Sequence, residues 1–447
     1  MRNPEEIFAA RVPRYTSYPT APHFHAGVDA AVYRGWLEAL DPAAPLSLYV
    51  HIPFCDTLCW FCGCHTRVVN TYSPLAGYLD LLLREIGLVA DALGARRRVT
   101  HIHWGGGSPT MLRPADMRRL NAFLRERFDV APDAEFAIEI DPRGFTPELS
   151  RALADIGVTR ASIGVQDFDP AVQRAINRIQ DFETTAKCVS LLRGDGIDKL
   201  SIDLIYGLPH QTAEGLWNTI DQVLTLDPDR LAIFGYAHVP GFKKHQELIP
   251  QSALPGLKER FAQAEAAREQ LLAAGYVAVG LDHFAKPGDP MAVAKAEGTL
   301  ARNFQGYTTD TAPALIGFGA SSIGSLPQGY VQNLTDVPAW RAALLKVELP
   351  VARGVALTEE DRIRREVIER LMCDLEVDLA AVARRYGRAP AMFADALADL
   401  QSQARDGIVQ VDGWYVRVPD AWRPAIRIVC AAFDTYLSKA GTHSVAV

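Results

Sequence analysis

Short apolar and β-branched runs alternate with helical patterns from residue 46 onward, and this alternation limits the possible folds more than any other feature. Each run ends in Gly, Pro or polar residues, as expected for buried parallel strands that lead into loops. The six runs span residues 47–53, 99–107, 134–142, 160–168, 199–209 and 230–238. Repeated βα units form a parallel sheet with right-handed crossovers. The pattern therefore predicts an α/β fold, a partial TIM-like (βα)6 barrel rather than a closed eight-stranded one.

The sequence predicts three segments, and the barrel belongs to the second of them. They are an N-terminal arm over 1–45, the barrel with a capping extension over 46–350, and a smaller, mainly helical domain over 351–447. In the extension we expect a helix over 255–275, a strand over 276–284 and a small-residue turn over 317–325. The last segment predicts a hairpin that turns at Asp412-Gly413 and a closing helix over 424–437, which together resemble a winged helix. A lid over the active site fits this domain better than DNA binding.

Charge and composition argue against a nucleic-acid-binding protein and against a membrane-spanning one. The chain has 447 residues and a formal net charge of −7, which argues against nucleic acid as the main partner because phosphate binding needs a basic face. No apolar run reaches the length of a membrane helix, and no secretory signal precedes the clustered cysteines. We therefore expect a cytoplasmic protein, and a monomer.

Four of the seven cysteines lie within ten residues: Cys55, Cys59, Cys62 and Cys64. Thiolates are soft ligands that suit an iron–sulfur cluster or zinc. The C-x3-C-x2-C spacing of the first three favours the cluster, because structural zinc sites usually bring two separated knuckles and no second one follows. Three cysteines hold three corners of a [4Fe–4S] cube and leave one iron open for a substrate or cofactor.

Two other interpretations of these cysteines stay open. A disulfide staple is disfavoured by the predicted compartment, and a closed zinc site would use Cys64 as its fourth ligand. Trp60 and Phe61 either shield a cluster or fill the loop. The other cysteines are predicted to be buried or inert thiols; they are Cys188, Cys373 and Cys430.

C-x3-C-x2-C is typical of the radical S-adenosylmethionine (SAM) superfamily, and further motifs resemble one family within it. In chain order they are YVHIPFC, CWFCGC, HWGGGSPT, EIDP, SIGVQDF, DLIYGLP and RNFQGYTT. Together they resemble the oxygen-independent coproporphyrinogen III oxidases, from RYTSYPT near the start to FDTYL near the end. The resemblance implies an oxidoreductase of haem biosynthesis that converts coproporphyrinogen III to protoporphyrinogen IX. An alternative is a haem-binding chaperone that keeps the cluster without oxidase activity; Cys64 and the second SAM set described next favour the enzyme.

The resemblance also implies cofactor contacts. The cluster ligands would be Cys55, Cys59 and Cys62, with Cys64 outside the set. The family holds two SAM molecules side by side. The first would lie on the cluster iron and contact Tyr49, Gly106, Glu139 and Ile323. The second would contact Phe61, Gly107, Ser108, Gln166, Arg178, Asp203 and Ala237.

The residue types support parts of this assignment. Glycine NH groups approach a carboxylate closely, and although tight turns also use such runs, the position of Gly105-Gly106-Gly107 at a strand end after a cysteine cluster favours the SAM role. Glu139 at a strand end can bond ribose hydroxyls, and the alternative is a solvated or helix-capping acid. Ser108 stands where the family has threonine, and Ile179 stands where an acid is expected, so the second site is the less secure.

The implied substrate is a flexible tetrapyrrole with several propionates, so cationic and hydrogen-bonding groups should face the barrel mouth. The candidates are Arg302, Asn303, Gln305, Tyr307, His238 and His283. Packing or surface roles are open for each. The family also places Arg14 and Tyr15 close to the active site, where packing is the alternative. The electron donor is not identifiable from the sequence.

Overall fold

Residues 10–437 are described by the structure, a computed structural model, and their central feature is one large twisted sheet. Within this range it has twelve strands. Read across the sheet, they are Val351–Ala356, Gly329–Asn333, Ile323–Leu326, Ala314–Phe318, Leu46–Ile52, Arg98–Gly106, Asp129–Ile140, Arg160–Gln166, Lys199–Tyr206, Arg230–Gly235, His283–Ala285 and Val277–Val279. The six strands from Leu46–Ile52 to Arg230–Gly235 are parallel and adjacent in chain order. The predicted partial (βα)6 barrel is confirmed.

The sheet extends beyond the six predicted strands on both sides. Ala314–Phe318 pairs in parallel with Leu46–Ile52, and the strands after it are antiparallel. The predicted turn over 317–325 is therefore only a short connection between two strands. These strands were not predicted because small residues interrupt the alternating apolar pattern that indicates a strand. A Cβ on Gly317 would lie 2.9 Å from the Ile323 carbonyl oxygen, so the close pairing requires glycine rather than an apolar alternation.

Helices cover the outer face of the sheet. In the barrel and its extension they are Ser73–Leu93, Pro114–Arg127, Pro147–Ile156, Pro170–Ala175, Phe182–Gly194, Ala213–Thr225, Leu257–Ala273, Pro290–Ala296 and Val337–Leu345. Side-chain caps begin several of them; Thr212 accepts a bond from the Gly215 N–H at 3.0 Å. Leu257–Ala273 matches the predicted helix over 255–275. The predicted strand over 276–284 is two short antiparallel strands instead.

The short elements complete the barrel region. Two-stranded sheets pair Phe54–Cys55 with Arg67–Val68 and Ala301–Asn303 with Gly306–Thr308. The 3-10 helices of the described chain are Ala21–His23, Pro109–Met111, Lys244–Leu248, Gln251–Ala253, Pro390–Phe393 and Asp420–Ala425. No helix in the described chain is both long and apolar enough to cross a membrane.

The C-terminal part is mainly helical, as predicted. Its helices are Glu359–Asp374, Leu379–Arg385, Ala394–Arg405 and Ile426–Ala431. The predicted hairpin pairs Gln410–Asp412 with Tyr415–Arg417, and Glu376–Asp378 adds a third strand. The predicted helix over 424–437 is wrong in extent: the α-helix ends at Ala431. Pro424 lacks an N–H and leaves a 3-10 turn before it, and the Asp434 carboxylate accepts the Tyr436 N–H at 2.9 Å in a turn after it.

The N-terminal arm lies between the barrel mouth and the C-terminal helices. It contains a helix, Ala30–Glu38, that the sequence reasoning missed although Asp29 caps it. The Tyr15 hydroxyl donates to Asp434 at 3.1 Å, and Arg427 Nε donates to the Pro13 carbonyl at 2.9 Å. Residues 1–9 of the predicted arm and 438–447 of the last segment lie outside the described range. The division at 45 and 350 stays a prediction; the strand Val351–Ala356 belongs to the large sheet.

Candidate active site

The cysteine loop follows strand Leu46–Ile52 and is held against the barrel by hydrogen bonds. The Trp60 N–H donates to the Ile176 carbonyl at 2.9 Å, and the Asn177 amide donates to the Leu58 carbonyl at 2.9 Å. Trp60 and Phe61 also pack against the apolar group formed by Val172, Ile176, Leu208, Tyr236 and Ile249. The loop is thus fixed at the C-terminal end of the sheet before any cofactor is considered.

Donors surround the sulfur atoms. Arg143 and Arg178 each place a guanidinium nitrogen 3.5 Å from Cys59 Sγ, and the Cys64 N–H lies 3.4 Å from Cys62 Sγ. Cationic and N–H donors offset the negative charge of thiolates and of the cluster they would hold. This donor set fits an iron–sulfur cluster on the three cysteines.

The thiols differ in their acidity. A hydrogen bond with the Cys64 side chain lowers the pKa of Cys62 to about 6, while burial raises the pKa of Cys55 to about 11. Cys55 Sγ also lies 3.1 Å from the Thr66 hydroxyl. Within residues 10–437 no three His, Cys, Asp or Glu side chains converge on the position of one metal ion. A cube places each cysteine on a separate iron, so its ligands need not converge in that way. The isolated cysteines Cys188, Cys373 and Cys430 are buried and free.

The glycine run at the end of strand Arg98–Gly106 packs so closely against neighbouring side chains that larger residues would not fit. A Cβ on Gly105 would lie 2.6 Å from Glu139 Oε1, and one on Gly106 would lie 2.7 Å from the His51 ring. Gly106 also has φ +119°, which favours glycine. Its N–H donates to Glu139 Oε2 at 2.9 Å. These glycines therefore let the strand end approach both the acid and the histidine.

Glu139 lies near the end of strand Asp129–Ile140, and Tyr49 lies at the middle of strand Leu46–Ile52. Desolvation raises the pKa of Glu139, but hydrogen bonds from His103 at 3.2 Å and from Gly106 hold that pKa below its ordinary value, so the side chain is a carboxylate. The Tyr49 hydroxyl lies 2.9 Å from His51 Nδ1. Tyr49 is in register with Gly317, which lies against Ile323. The structure thus brings the first predicted SAM set to one region of the sheet.

Several residues of the second predicted SAM set make hydrogen bonds within the protein. Arg178 donates to the Gly164 carbonyl at 2.6 Å and to Asp141 at 3.2 Å. Asp203 accepts from the Ser162 hydroxyl at 3.0 Å, and burial raises its pKa to about 6. Gln166 ends its strand with φ 72°.

Two members of that set use their backbone groups inside the protein. The Gly107 N–H donates to the Ile52 carbonyl at 2.9 Å, and the Ser108 N–H donates to the Phe54 carbonyl at 2.8 Å. The Ser108 hydroxyl lies 3.2 Å from the Thr110 hydroxyl. Their assigned role toward SAM stays a prediction.

Gln246 is a site residue that sequence reasoning missed. Its buried amide donates to the Phe61 carbonyl at 2.9 Å and to the Ala237 carbonyl at 3.2 Å. It therefore joins two predicted SAM contacts that are far apart in the chain. A single glutamine in the short 3-10 helix Lys244–Leu248 carries no sequence signal for this role.

Two cavities are lined by predicted site residues, and the lining of the smaller one also includes Ser47, Arg160 and Arg230 at the starts of their strands. One of about 400 Å³ is lined by Cys64, Ala237, His283, Arg302 and Gln305 among others. A second of about 150 Å³ includes Glu139, Asp203, Asn303 and Tyr307. Of the substrate candidates, His238 lines neither cavity; its ring lies 3.0 Å from the Tyr236 hydroxyl. Arg14 lines the larger cavity, whereas the Tyr15 hydroxyl is engaged with Asp434.

Comparisons with known proteins agree with this architecture. Residues 49–223 match the Radical SAM superfamily, and residues 357–421 match the HemN C-terminal domain. The fold and the cysteine loop therefore define a radical SAM enzyme, a class that works with a [4Fe–4S] cluster and SAM.

Relatives that match nearly the whole chain identify the family within this class. The oxygen-independent coproporphyrinogen III oxidase of Bradyrhizobium diazoefficiens is 51% identical over 96% of this chain and 95% of its own. The enzyme of that name from Salmonella typhimurium is 42% identical over 95% and 93%. The solved structure of coproporphyrinogen III oxidase (HemN) from Escherichia coli superimposes with a TM-score of 0.91 at 40% identity, covering 96% of this chain and all of that one. The chain belongs to the family of oxygen-independent coproporphyrinogen III oxidases. This membership favours the enzyme over the chaperone alternative, and the cluster over zinc or a disulfide.

Proposed function

We propose that this enzyme converts coproporphyrinogen III to protoporphyrinogen IX by oxidative decarboxylation of two propionate side chains to vinyl groups. Family membership supports the substrate. The observation that carries the proposal is the cavity of about 400 Å³, because Cys64 of the cysteine loop and the cationic Arg302 line the same space. A carboxylate-bearing substrate bound there would lie beside the redox centre. The cytoplasm is the proposed compartment, and a monomer the proposed state.

When bound, the cluster and SAM would supply a 5′-deoxyadenosyl radical that removes a hydrogen atom from a propionate β-carbon, and loss of an electron and CO2 then leaves the vinyl group. The protein's own groups bind and orient. Cys55, Cys59 and Cys62 would hold the cluster, and the guanidinium groups beside Cys59 would balance its charge. The loop and the strand ends around it would exclude water from the reacting carbon.

The ionised Glu139 suits hydrogen bonding to the ribose hydroxyls of a SAM on the cluster, with Tyr49, Gly106 and Ile323 around it. We propose a second SAM at the other set. Asp203 is the carboxylate of that set; one of its oxygens accepts from Ser162, and within residues 10–437 no hydrogen bond to the other is found. The donor that supplies the electron stays unidentified.

An anaerobic assay with coproporphyrinogen III, SAM and a chemical reductant tests the proposal. With an added one-electron acceptor to take the electron released in each decarboxylation, the expected products are protoporphyrinogen IX and CO2, with none formed by the Cys59→Ser variant or without SAM. Product formed in air without SAM would contradict it. So would a protein that binds haem tightly and never turns over coproporphyrinogen, which would restore the chaperone alternative.

A further inference from the structure

One segment of the chain crosses the cysteine loop and donates hydrogen bonds to its backbone carbonyls. It comprises residues 239–249, and we name it the strap. Lys243 Nζ donates to the Cys64 carbonyl at 2.9 Å. His245 Nε2 lies 2.7 Å from the Cys62 carbonyl, and since a carbonyl can only accept, this ring nitrogen is the donor. The strap therefore holds the last two cysteines of the loop.

The strap is itself fixed in place, so these donors are preorganised. The Lys243 N–H donates to the Val239 carbonyl at 3.0 Å, and the Gln246 N–H donates to the Lys243 carbonyl at 2.8 Å. Ile249, at the end of the strap, is buried in the apolar group that also supports the cysteine loop. Lys243 is only partly exposed, and its backbone is ordered on both sides. Its ammonium group is therefore held beside the loop.

The two sides of the cysteine loop differ in their balance of charge. On one side, Arg143 and Arg178 both pair with Asp141, at 2.6 Å and 3.2 Å. That carboxylate offsets part of their positive charge. On the other side, no ion pair between Lys243 and a carboxylate is found within residues 10–437. The Cys64 carbonyl orients the ammonium group without neutralising it, so Lys243 keeps its positive charge next to the loop.

This charge already acts on one of the predicted cluster ligands. The hydrogen bond with Cys64 is the largest cause of the lowered pKa of Cys62, and the charges of Lys243 and His245 lower that pKa further. The cations thus favour the thiolate, which is the form that binds iron. A nearby cation likewise stabilises a cluster that has gained an electron, because the reduced cluster is the more negative state.

We propose that Lys243 is a positioning residue of the cluster site, which holds the turn at Cys62 and Cys64 and raises the reduction potential of the bound cluster. In the proposed reaction, an external reductant loses one electron to the cluster before SAM is cleaved. A higher potential makes this electron transfer more favourable. The inference rests on the proposed function for the presence of a cluster on the cysteine loop, and it adds the strap to the redox site.

The reduction potential of the cluster tests this inference without relying on turnover. Anaerobically purified protein is titrated stepwise with a low-potential reductant and redox mediators, and the reduced cluster is followed by its spin-resonance signal. Lys243→Met removes the ammonium group at nearly the same side-chain length. We expect it to shift the equilibrium about tenfold toward the oxidised cluster, which for one electron is a potential about 59 mV lower. Lys243→Arg keeps the charge and should keep the potential near that of the wild-type protein.

Lys244 offers a matched control. It carries the same charge one position along the chain, but it is exposed, and in the described part of the chain no hydrogen bond joins it to the cysteine loop. Lys244→Met should leave the potential nearly unchanged, because solvent and salt screen an exposed charge. Equal potentials of Lys243→Met and the wild-type protein would overturn the inference. Equal shifts in the two Met variants would overturn it as well, since they would indicate a general effect of surface charge.

The test is separable from cluster loss and from turnover. The spin-resonance signal reports only protein that holds a cluster, so partial loss of iron leaves the potential measurable. If Lys243→Met holds no cluster, Lys243→Gln, which keeps a polar donor, replaces it and the same outcomes decide. A lowered potential in a protein that never converts coproporphyrinogen III would support the role of Lys243 while the proposed reaction fails. Turnover with an unchanged potential would overturn that role while the reaction stands.

Discussion

At the scale of single residues, the four clustered cysteines have unequal surroundings. Cys59 is buried beside two guanidinium groups, whereas Cys64 is exposed and lines the cavity of about 400 Å³. The Cys64 N–H lies near Cys62 Sγ, so its backbone supports a neighbouring ligand. These contacts are consistent with the prediction that Cys64 lies beside the cluster ligands and is not one of them.

We expect Cys64→Ser to keep about four irons per chain, the content of one cube, because three thiolates suffice to hold it. Cys59→Ser should lose the cluster, since it removes one of the three predicted ligands. Iron and sulfide analysis of anaerobically purified protein measures both. A Cys64→Ser protein without a cluster beside a Cys59→Ser protein with one would reverse the assignment.

The two carboxylates at the strand ends provide a matched pair for the two SAM sites. Glu139→Gln keeps the side-chain size but loses the charge that accepts from Gly106 and His103. It should abolish the spin-resonance signature of SAM on the cluster while iron content is unchanged. Asp203→Asn should keep that signature and lower product formation about tenfold or more, as expected for one charge-assisted contact. Identical loss of the signature in both variants would argue against two separate sites. This pair is a cleaner comparison than Arg178, which also contacts Cys59.

At the scale of elements, the strands and turns that were predicted correctly are those that hydrophobic periodicity and turn residues specify. The six parallel strands and the Asp412-Gly413 hairpin follow from buried apolar runs and turn chemistry. The strand Ala314–Phe318 was missed because glycines at 317 and 319 read as a turn. The prediction of three cysteine ligands follows from spacing alone, whereas Gln246 could not be found in this way, because its contacts join segments that only the fold brings together.

Gln246 offers a test of how the cysteine loop is held. Gln246→Leu should lower the free energy of unfolding by about 1–3 kcal/mol, because the Phe61 and Ala237 carbonyls and the Val239 N–H lose buried partners. Denaturant unfolding of the protein measures the change. Gln251→Leu, an exposed change in the next short helix, is the control and should have little effect. Equal stability of the two variants would mean that Gln246 does not fix the loop.

At the scale of the whole molecule, Glu85 connects the barrel to its extension. This buried carboxylate on helix Ser73–Leu93 accepts from the Gly319 N–H at 2.9 Å, the Trp340 indole at 3.0 Å and the Asn333 amide at 2.5 Å. Burial raises its pKa to about 7 despite these bonds. The folded state therefore holds this proton more tightly than the unfolded chain does.

The sign of the resulting pH dependence follows from linkage. Since the folded pKa lies above the unfolded one, the contribution of Glu85 is largest at low pH and is lost as the pH rises to about 7. Relative to Glu85→Gln, the wild-type protein should lose about 2 kcal/mol between pH ~5.5 and pH ~8.5. Urea unfolding of both proteins at these two pH values measures the difference. A constant difference would indicate that Glu85 does not titrate in this range.

The radical reaction itself is the central claim, and hydrogen transfer tests it most directly. Coproporphyrinogen III deuterated at the propionate β-carbons is turned over anaerobically with SAM and reductant, and the 5′-deoxyadenosine is analysed by mass spectrometry. Side-chain acids and bases in this site cannot break such a C–H bond, so we predict deuterium in the 5′-deoxyadenosine, one transfer for each vinyl group formed. Vinyl product accompanied by unlabelled 5′-deoxyadenosine would contradict it.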